Sequence, residues 1–198
     1  MQTILAFDLA WTGLSGWCLW NGANELDPIL KYGEFKPKFK SSLTGAERVQ
    51  AIGMAIGKNV LDLLTELTPT VCVYEYTDWF QDLRGKPNWK LLYKKERQNQ
   101  ACLHRAEMAL LYAASKAGVR PVSIGATEAR KEYQVQRKDA AARILSSNLP
   151  QRLDFDYDGP VWFVLDLKTG QRISDHITDA MVLADVVWHR QFIEERLR

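Results

Sequence analysis

The chain has 198 residues, with a formal net charge of +2, 46% hydrophobic residues and 25% charged residues. This composition is typical of one globular domain with a substantial core, and it excludes a polycation. No apolar run reaches the roughly 18 residues that a membrane span requires, so we expect no membrane partner.

The start of the chain and its cysteines indicate the compartment. No basic stretch precedes an apolar one at the N-terminus, so a secretory signal is not expected. Cys18, Cys72 and Cys102 are far apart in the sequence, which excludes a disulfide framework and predicts buried thiols. We therefore expect a cytoplasmic protein.

The first part of the chain predicts three strands, a long helix and a fourth strand. Gly13 and Gly16 predict a turn between the first two strands. The helix has Thr44 as a possible N-cap and Glu47 three residues later, followed by apolar residues at helical spacing. The strands are predicted over residues 3–9, 16–21, 29–37 and 70–76, and the helix over 44–67.

The second part predicts alternating helices and a strand, then an insertion and a final helix. Residues 153–174 are interpreted as a hairpin or irregular insertion, and Ser174 as the N-cap of the final helix. Three strands followed by alternating elements favour a single mixed α/β domain over residues 1–198. The other elements are helices over 97–118, 126–133 and 136–149, and a strand over 119–125.

Acidic residues end two of the predicted strands and open the final helix. Asp8 ends the first strand and Glu75 the fourth, while Asp175, His176 and Asp179 are spaced to share one helix face. A buried carboxylate needs a hydrogen-bond partner, a counter-ion or a metal. If the two strands are neighbours and the helix crosses their ends, these acids converge and need cations. Oxygen ligands without thiols favour Mg²⁺ or Mn²⁺, and paired ions of this kind are common in phosphodiester hydrolysis.

Residues 83–97 combine positive charge with aromatic rings, and two further aromatic residues precede them. This mixture suits a phosphate backbone with stackable bases. A solvated loop with a few anchoring rings is the alternative, and the composition alone does not separate the two. The candidate DNA contacts here are Trp79, Phe80, Arg84, Lys86, Lys90 and Lys94.

The order of these elements resembles the RuvC-type Holliday-junction resolvases of the ribonuclease H-like superfamily. The matching segments are "ILAFDLAWTGLSGWCL", "VCVYE" and "HITDAMVLAD", in that order. The resemblance implies a mixed five-stranded sheet flanked by helices. It places Asp8, Glu75, His176 and Asp179 in the four catalytic positions, where they would hold two Mg²⁺ ions, with Mn²⁺ as a substitute. Asp175 is the alternative to His176 as the fourth ligand.

The same resemblance implies a substrate and a partner. A family member cuts four-way (Holliday) DNA junctions symmetrically, and the twofold symmetry of a junction favours a homodimer. We take the helix over 97–118 as the candidate dimer interface. Lys138 is the best match to the family's DNA contacts after the fifth strand, with Arg130, Lys131 and Arg137 as weaker matches. The long loop after Glu75 and the insertion at 153–174 mark a divergent member of the family, for which we consider a viral or mobile-element origin. A viral protein of this kind is expected in the cytoplasm of the host cell, and a cellular one at the nucleoid.

Other interpretations stay open at this stage. Acids in a first helical turn stabilise the helix dipole without any chemistry, and Asp is common where strands end. An actin-like nucleotide-binding phosphotransferase or ATPase also begins with Asp and a Gly-bearing loop, and a non-catalytic DNA-binding module would need only the basic and aromatic residues. A nuclease for RNA–DNA hybrids would share the metal site.

Overall fold

The computed structural model describes residues 2–76 and 89–190, without the side chains of residues 89–96, 98, 99 and 126. These ranges contain eight strands and five helices. In chain order they are β1 (Ile4–Asp8), β2 (Ser15–Trp20), β3 (Ile29–Phe35), α1 (Gly45–Leu67), β4 (Val71–Tyr76), α2 (Trp89–Ala117), β5 (Arg120–Gly125), α3 (Ala126–Glu132), α4 (Lys138–Asn148), β6 (Leu153–Asp158), β7 (Val161–Asp166), β8 (Gln171–Ile173) and α5 (Asp175–Trp188).

The main sheet has five strands in the order β3-β2-β1-β4-β5. β2 is antiparallel to both of its neighbours, whereas β1, β4 and β5 are mutually parallel. Consequently β1, β3, β4 and β5 all finish at the same end of the sheet, which we call the carboxyl end. The first and fourth strands are neighbours, which is the condition under which the acids at their ends converge.

Helices cover both faces of this sheet, and the alternation of side chains along the strands divides the core in two. Ala6 and Val73 belong to the cluster that includes α4 and α5. Phe7 and Tyr74 belong to the cluster that includes α1 and α2. Since successive side chains point to opposite faces, the residues that follow Phe7 and Tyr74 point toward the α5 side.

Residues 153–173 form a second, three-stranded antiparallel sheet in the order β6-β7-β8, rather than the hairpin predicted from sequence. A buried polar group joins this sheet to β3. Asp166, which is fully buried, accepts hydrogen bonds from the Tyr32 hydroxyl (2.6 Å) and from Nη2 of Arg152 (3.2 Å). The insertion is therefore held to the main sheet by charge-assisted hydrogen bonds as well as by packing.

Three local features differ from the sequence predictions. α2 begins at Trp89, eight positions before the predicted residue 97, because residues 89–96 include good helix formers and contain no Gly or Pro. β2 begins at Ser15, one residue before the predicted start of the strand, so Gly16 lies inside the strand and the turn before it ends earlier. Thr44 does precede α1, but its side chain makes no capping hydrogen bond.

The structure can be compared with two further sequence predictions, one on buried cysteines and one on membrane spans. Cys18 and Cys72 are buried as expected, and Cys102 is half-buried. Across residues 2–76 and 89–190, no helix is long and apolar enough to cross a membrane.

Candidate active site

Asp8 and Glu75 lie side by side at the carboxyl end of the sheet. Phe7 pairs with Tyr74 across the parallel strands β1 and β4, so the next residue on each strand is one of these two acids. Both acids point toward α5 by the alternation described above. The sheet thus brings together two carboxyl groups that are 67 positions apart in the sequence.

The N-terminus of α5 is fixed directly over β2. Ser174 caps the helix by accepting a hydrogen bond from the backbone N–H of Ile177, and its hydroxyl donates to Glu34 of β3. Gly16 of β2 lies so close that a Cβ atom there would overlap the backbone of His176. A glycine is therefore required for the helix to begin at this position.

α5 adds a histidine and a third carboxylate to the two strand acids. Nδ1 of His176 lies 2.7 Å from Oδ2 of Asp8, and both side chains are partly shielded from solvent. Asp179, almost one turn later, accepts a hydrogen bond from the Lys138 ammonium at the start of α4. Four elements, β1, β4, α4 and α5, thus contribute to one cluster of charged groups.

The surroundings of Glu75, Asp179 and His176 raise the pKa values of all three groups. Burial, then the charges of Asp8 and Asp179, raise the pKa of Glu75 from 4.5 to about 7. Burial also raises the pKa of Asp179, although Lys138 partly offsets this effect. The hydrogen bond to Asp8 raises the pKa of His176, whose burial acts in the opposite direction. The cluster therefore favours protons or other cations.

Lys138 is the counter-ion of this cluster. Burial alone would lower the pKa of Lys138, but the charge of Asp179 and its hydrogen bond, followed by the charges of Asp8 and Glu75, raise it. The ammonium is thus held in its charged form against the carboxylates. This contact would not have been found from sequence spacing, because 41 positions separate Lys138 from Asp179.

The remaining predicted ligand and DNA contacts are placed as follows. Asp175 is exposed at the start of α5, where its carboxylate accepts a hydrogen bond from the backbone N–H of His176. Arg130 is half-buried, close enough to Glu75 for its charge to lower the pKa of that residue. Lys131 is exposed, and Arg137 donates two hydrogen bonds to Asp139 (2.9 and 2.7 Å).

The other predicted DNA contacts cannot be compared with the structure. Trp79, Phe80, Arg84 and Lys86 lie outside the described residues. Lys90 and Lys94 lie on α2, of which only the backbone is described at these positions. Their proposed roles stay predictions.

The donor chemistry of the cluster fits a divalent cation. Asp8, Glu75 and Asp179 supply hard oxygen ligands, and the raised pKa values of Glu75 and Asp179 are what uncompensated carboxylates produce. Among the described residues, no three His, Cys, Asp or Glu side chains are arranged as a ready ligand set. Lys138 and His176 instead occupy carboxylate oxygens, so ligation of a metal requires these contacts to rearrange.

Sequence reasoning missed two residues that position α5. Glu34 gave no signal, because an exposed acid on an outer strand is ordinary. Gly16 was noticed, but its role depends on a helix that is 160 positions further along the chain. Only the folded arrangement shows that both residues support the start of α5.

The sheet order and the flanking helices define a ribonuclease H-like α/β fold. Comparison with solved structures shows which proteins of this fold class are similar to this chain. The chain is similar to RuvC of Thermus thermophilus in complex with a Holliday junction substrate, with 19% identity and a TM-score of 0.63 over 99% of this chain and 97% of the other. It is also similar to T. thermophilus RuvC alone, with 18% identity and a TM-score of 0.60 over 96% of each chain.

A third similar structure is the yeast mitochondrial Holliday junction resolvase Ydc2, with 14% identity and a TM-score of 0.51 over 99% of this chain and 82% of the other. No protein-family model matches the sequence, and no curated protein matches it either. The protein therefore has a RuvC-like fold, as the sequence resemblance implied.

Proposed function

We propose that the protein is a metal-dependent, structure-selective endodeoxyribonuclease that cuts four-way DNA junctions by symmetric hydrolysis of phosphodiester bonds. The observation that carries the proposal is the convergence of Asp8, Glu75, His176 and Asp179 at the carboxyl end of a RuvC-like fold. A cluster of partly buried acids with raised pKa values is suited to hold cations against a phosphate.

The residues that would hold the metal are Asp8, Glu75 and Asp179, with His176 or Asp175 as the fourth ligand. Mg²⁺ suits these oxygen donors, Mn²⁺ is the expected substitute, and two ions fit the number of carboxylates. When bound, such ions activate a water molecule and stabilise the charge that develops on the phosphate.

The chain's own residues contribute positive charge and a proton site. Lys138 is held by Asp179, and once that carboxylate takes another cation the ammonium is free to contact a phosphate oxygen of the DNA. His176 carries an exchangeable proton at Nδ1, beside Asp8, where a proton can be held or passed on. Arg130 lies near Glu75 and adds a second positive charge.

The wider DNA surface and the assembly follow from the same proposal. Lys131 and Arg137 would contact the backbone beside the site, and the basic and aromatic residues between Trp79 and Lys94 would contact the branch point. A homodimer would present two such sites to the two symmetric strands of a junction. The helix α2 is the proposed dimer interface, and the cytoplasm is the proposed location.

The test is cleavage of a labelled immobile four-way junction beside a matched linear duplex and an RNA–DNA hybrid. Mg²⁺ is compared with EDTA, and the wild type with Asp8→Asn and with Asp154→Asn, a matched control at an exposed acid on β6. We expect paired nicks in the junction that disappear with EDTA and with Asp8→Asn but persist with Asp154→Asn.

Each other outcome contradicts part of the proposal. Cleavage of the hybrid but not the junction would support the proposed metal site and contradict the proposed substrate. Binding of the junction without cleavage under any metal would favour a non-catalytic DNA-binding module. Stabilisation by nucleotide, with no DNA bound, would favour the actin-like alternative.

A further inference from the structure

A short basic segment leaves the main sheet at the same end as the candidate active site. It follows β3 and leads into α1, and we call it the basic loop: Lys36, Lys38 and Lys40, with Arg48 from the first turn of α1. β3 ends at Phe35, which pairs with Ser15 of β2. The next residue of β2, Gly16, pairs with Asp8 of β1, so β3 ends level with the candidate site. Two strand spacings, about 10 Å, separate β3 from β1.

The exposure of the side chains alternates along this loop. Pro37 is buried and Phe39 is half-buried against the core on the α1 and α2 side, whereas the three lysines between and beside them are exposed. The Arg48 guanidinium lies 5.3 Å from the centre of the Phe39 ring, so it joins the loop to α1. The two inward residues anchor the loop and direct the lysines to solvent.

The positive charges of the basic loop are not compensated. Between residues 36 and 48 there are four cations and one acid, Glu47. Within the described part of the chain, none of these four cations forms an ion pair, whereas other surface lysines such as Lys31 and Lys58 are paired with Glu66 and Asp62. Unpaired cations repel one another, so clustering them on a surface favours an anionic partner.

The start of α1 adds to the same positive potential. Thr44 makes no side-chain capping hydrogen bond, and the N-terminal end of this 23-residue helix carries the positive pole of its dipole. Lysines, an arginine and a helix N-terminus on one surface together suit phosphate groups. The position beside the active site favours the phosphates of the DNA that is cut.

We propose that the basic loop binds the phosphate backbone of one duplex arm of the DNA substrate, as a site separate from the residues around Lys138. The inference rests on the proposed function, because it assigns this loop to the substrate of that site. The proposal predicts that the loop contacts the phosphate backbone and not the bases. Such contacts determine affinity and its salt dependence, but not the preference for a base sequence.

The test measures equilibrium binding to a four-way junction and to a linear duplex across a salt series from about 50 to about 300 mM KCl. All proteins carry Asp8→Asn, so that the DNA is not cut. One variant combines Lys36→Gln, Lys38→Gln and Lys40→Gln. The control makes the same change in charge at exposed lysines elsewhere, by combining Lys31→Gln, Lys58→Gln and Lys116→Gln.

We expect the loop variant to bind both DNAs with a slope of log K against log salt that is shallower by about 2 to 3, since each lost phosphate contact removes about 0.9. The control should change the slope by less than about 0.5, because uncontacted cations release no counter-ions. Matching thermal melting curves would show that exposed substitutions left the fold intact.

Equal slopes for the loop variant and the parent would overturn the proposal for the loop and leave the proposed function standing. Equal affinity of the parent for junction and duplex would instead contradict the junction-selective function, while the slopes on the duplex would still decide the role of the loop. If the slope of log K against log salt fell as much in the control variant as in the loop variant, the effect would be a general one of charge, and the loop proposal would be overturned.

Discussion

Asp166 and Glu75 are two shielded acids of the protein, the first buried and the second half-buried, and their surroundings are opposite. Burial alone would raise the pKa of Asp166, yet hydrogen bonds from Tyr32 and the backbone N–H of Lys168, with the charge of Arg152, hold it below its ordinary value. The pKa of Glu75 rises to about 7, because burial and the neighbouring acids Asp8 and Asp179 outweigh the nearby cations.

This difference distinguishes an acid that joins two parts of the fold from an acid that we propose for a metal site. Asp166 has its donors built into the chain, so it joins two sheets at a fixed geometry. Among the residues that the structure describes, no side chain or backbone N–H donates a hydrogen bond of that kind to Glu75, so its ionised carboxylate costs stability until a cation binds. Uncompensated buried charge in a folded protein is a mark of a functional site.

The largest expected effect comes from removing the counter-ion of the structural acid. Arg152→Ala leaves Asp166 buried without its cation, and breaking such a pair costs about 3–5 kcal/mol of unfolding free energy. Denaturant unfolding measures the loss. The control is Arg172→Ala, which removes an exposed pair with Asp158 and should cost at most about 1 kcal/mol. Similar losses in the two variants would contradict the structural role of Asp166.

The second prediction concerns Glu75 in metal-free protein. Its pKa is 4.5 when unperturbed and about 7 in the fold, so the native state binds more protons between these values. Stability therefore falls as the pH rises through this window, by about 3 kcal/mol in total. Urea unfolding in EDTA at a series of pH values measures the decline.

Glu75→Gln should remove most of this decline, because a neutral amide does not titrate. Glu66→Gln is the matched control, at an exposed acid paired with Lys31, and should leave the decline unchanged. Added Mg²⁺ should restore stability to the wild type at high pH but not to Glu75→Gln. A wild type whose stability rose with pH across this window would show that Glu75 is compensated in the fold.

The third prediction tests how precisely the chemical site must be held. Gly16→Ala places a Cβ atom against the backbone of His176 and displaces the start of α5. A shift of about 1 Å in a reacting group can cost about 10²-fold in rate, so we expect a loss of that order in junction cleavage. Gly53→Ala is the control, since a Cβ there meets only a side-chain atom at 3.8 Å. Unchanged cleavage by folded Gly16→Ala would contradict the role of this glycine.

The strands and the acids that end them could be predicted because their signals are local. Asp8 and Glu75 each end an apolar run, and the spacing of His176 and Asp179 is that of a helix turn. The resemblance to the RuvC-type resolvases then implied a mixed five-stranded sheet, and the structure confirms that sheet. A pattern that repeats within one helix or strand can be recognised without knowing which other element packs against that helix or strand.

Contacts between distant elements could not be predicted in the same way. Tyr32 and Asp166 are 134 positions apart, and nothing in either segment indicates the other. Gly16 looked like a turn residue because the close approach of α5 is a property of packing, not of the local sequence. The third strand of the insertion, β8, has only three residues, too few for a periodic pattern.

The smallest expected effect tests how fully Asp166 is satisfied. Tyr32→Phe removes one hydrogen bond to its carboxylate, but Arg152 and the backbone N–H of Lys168 remain. A hydrogen bond to a charged group contributes about 1.5–3 kcal/mol, and with the remaining donors we expect a loss near the lower value. Tyr112→Phe, at an exposed tyrosine, should change stability by less than about 0.5 kcal/mol. If Tyr32→Phe lowered the unfolding free energy as much as Arg152→Ala, the remaining donors would not be enough to satisfy the Asp166 carboxylate. The surroundings of Asp166 and Glu75 would then differ less than the structure indicates.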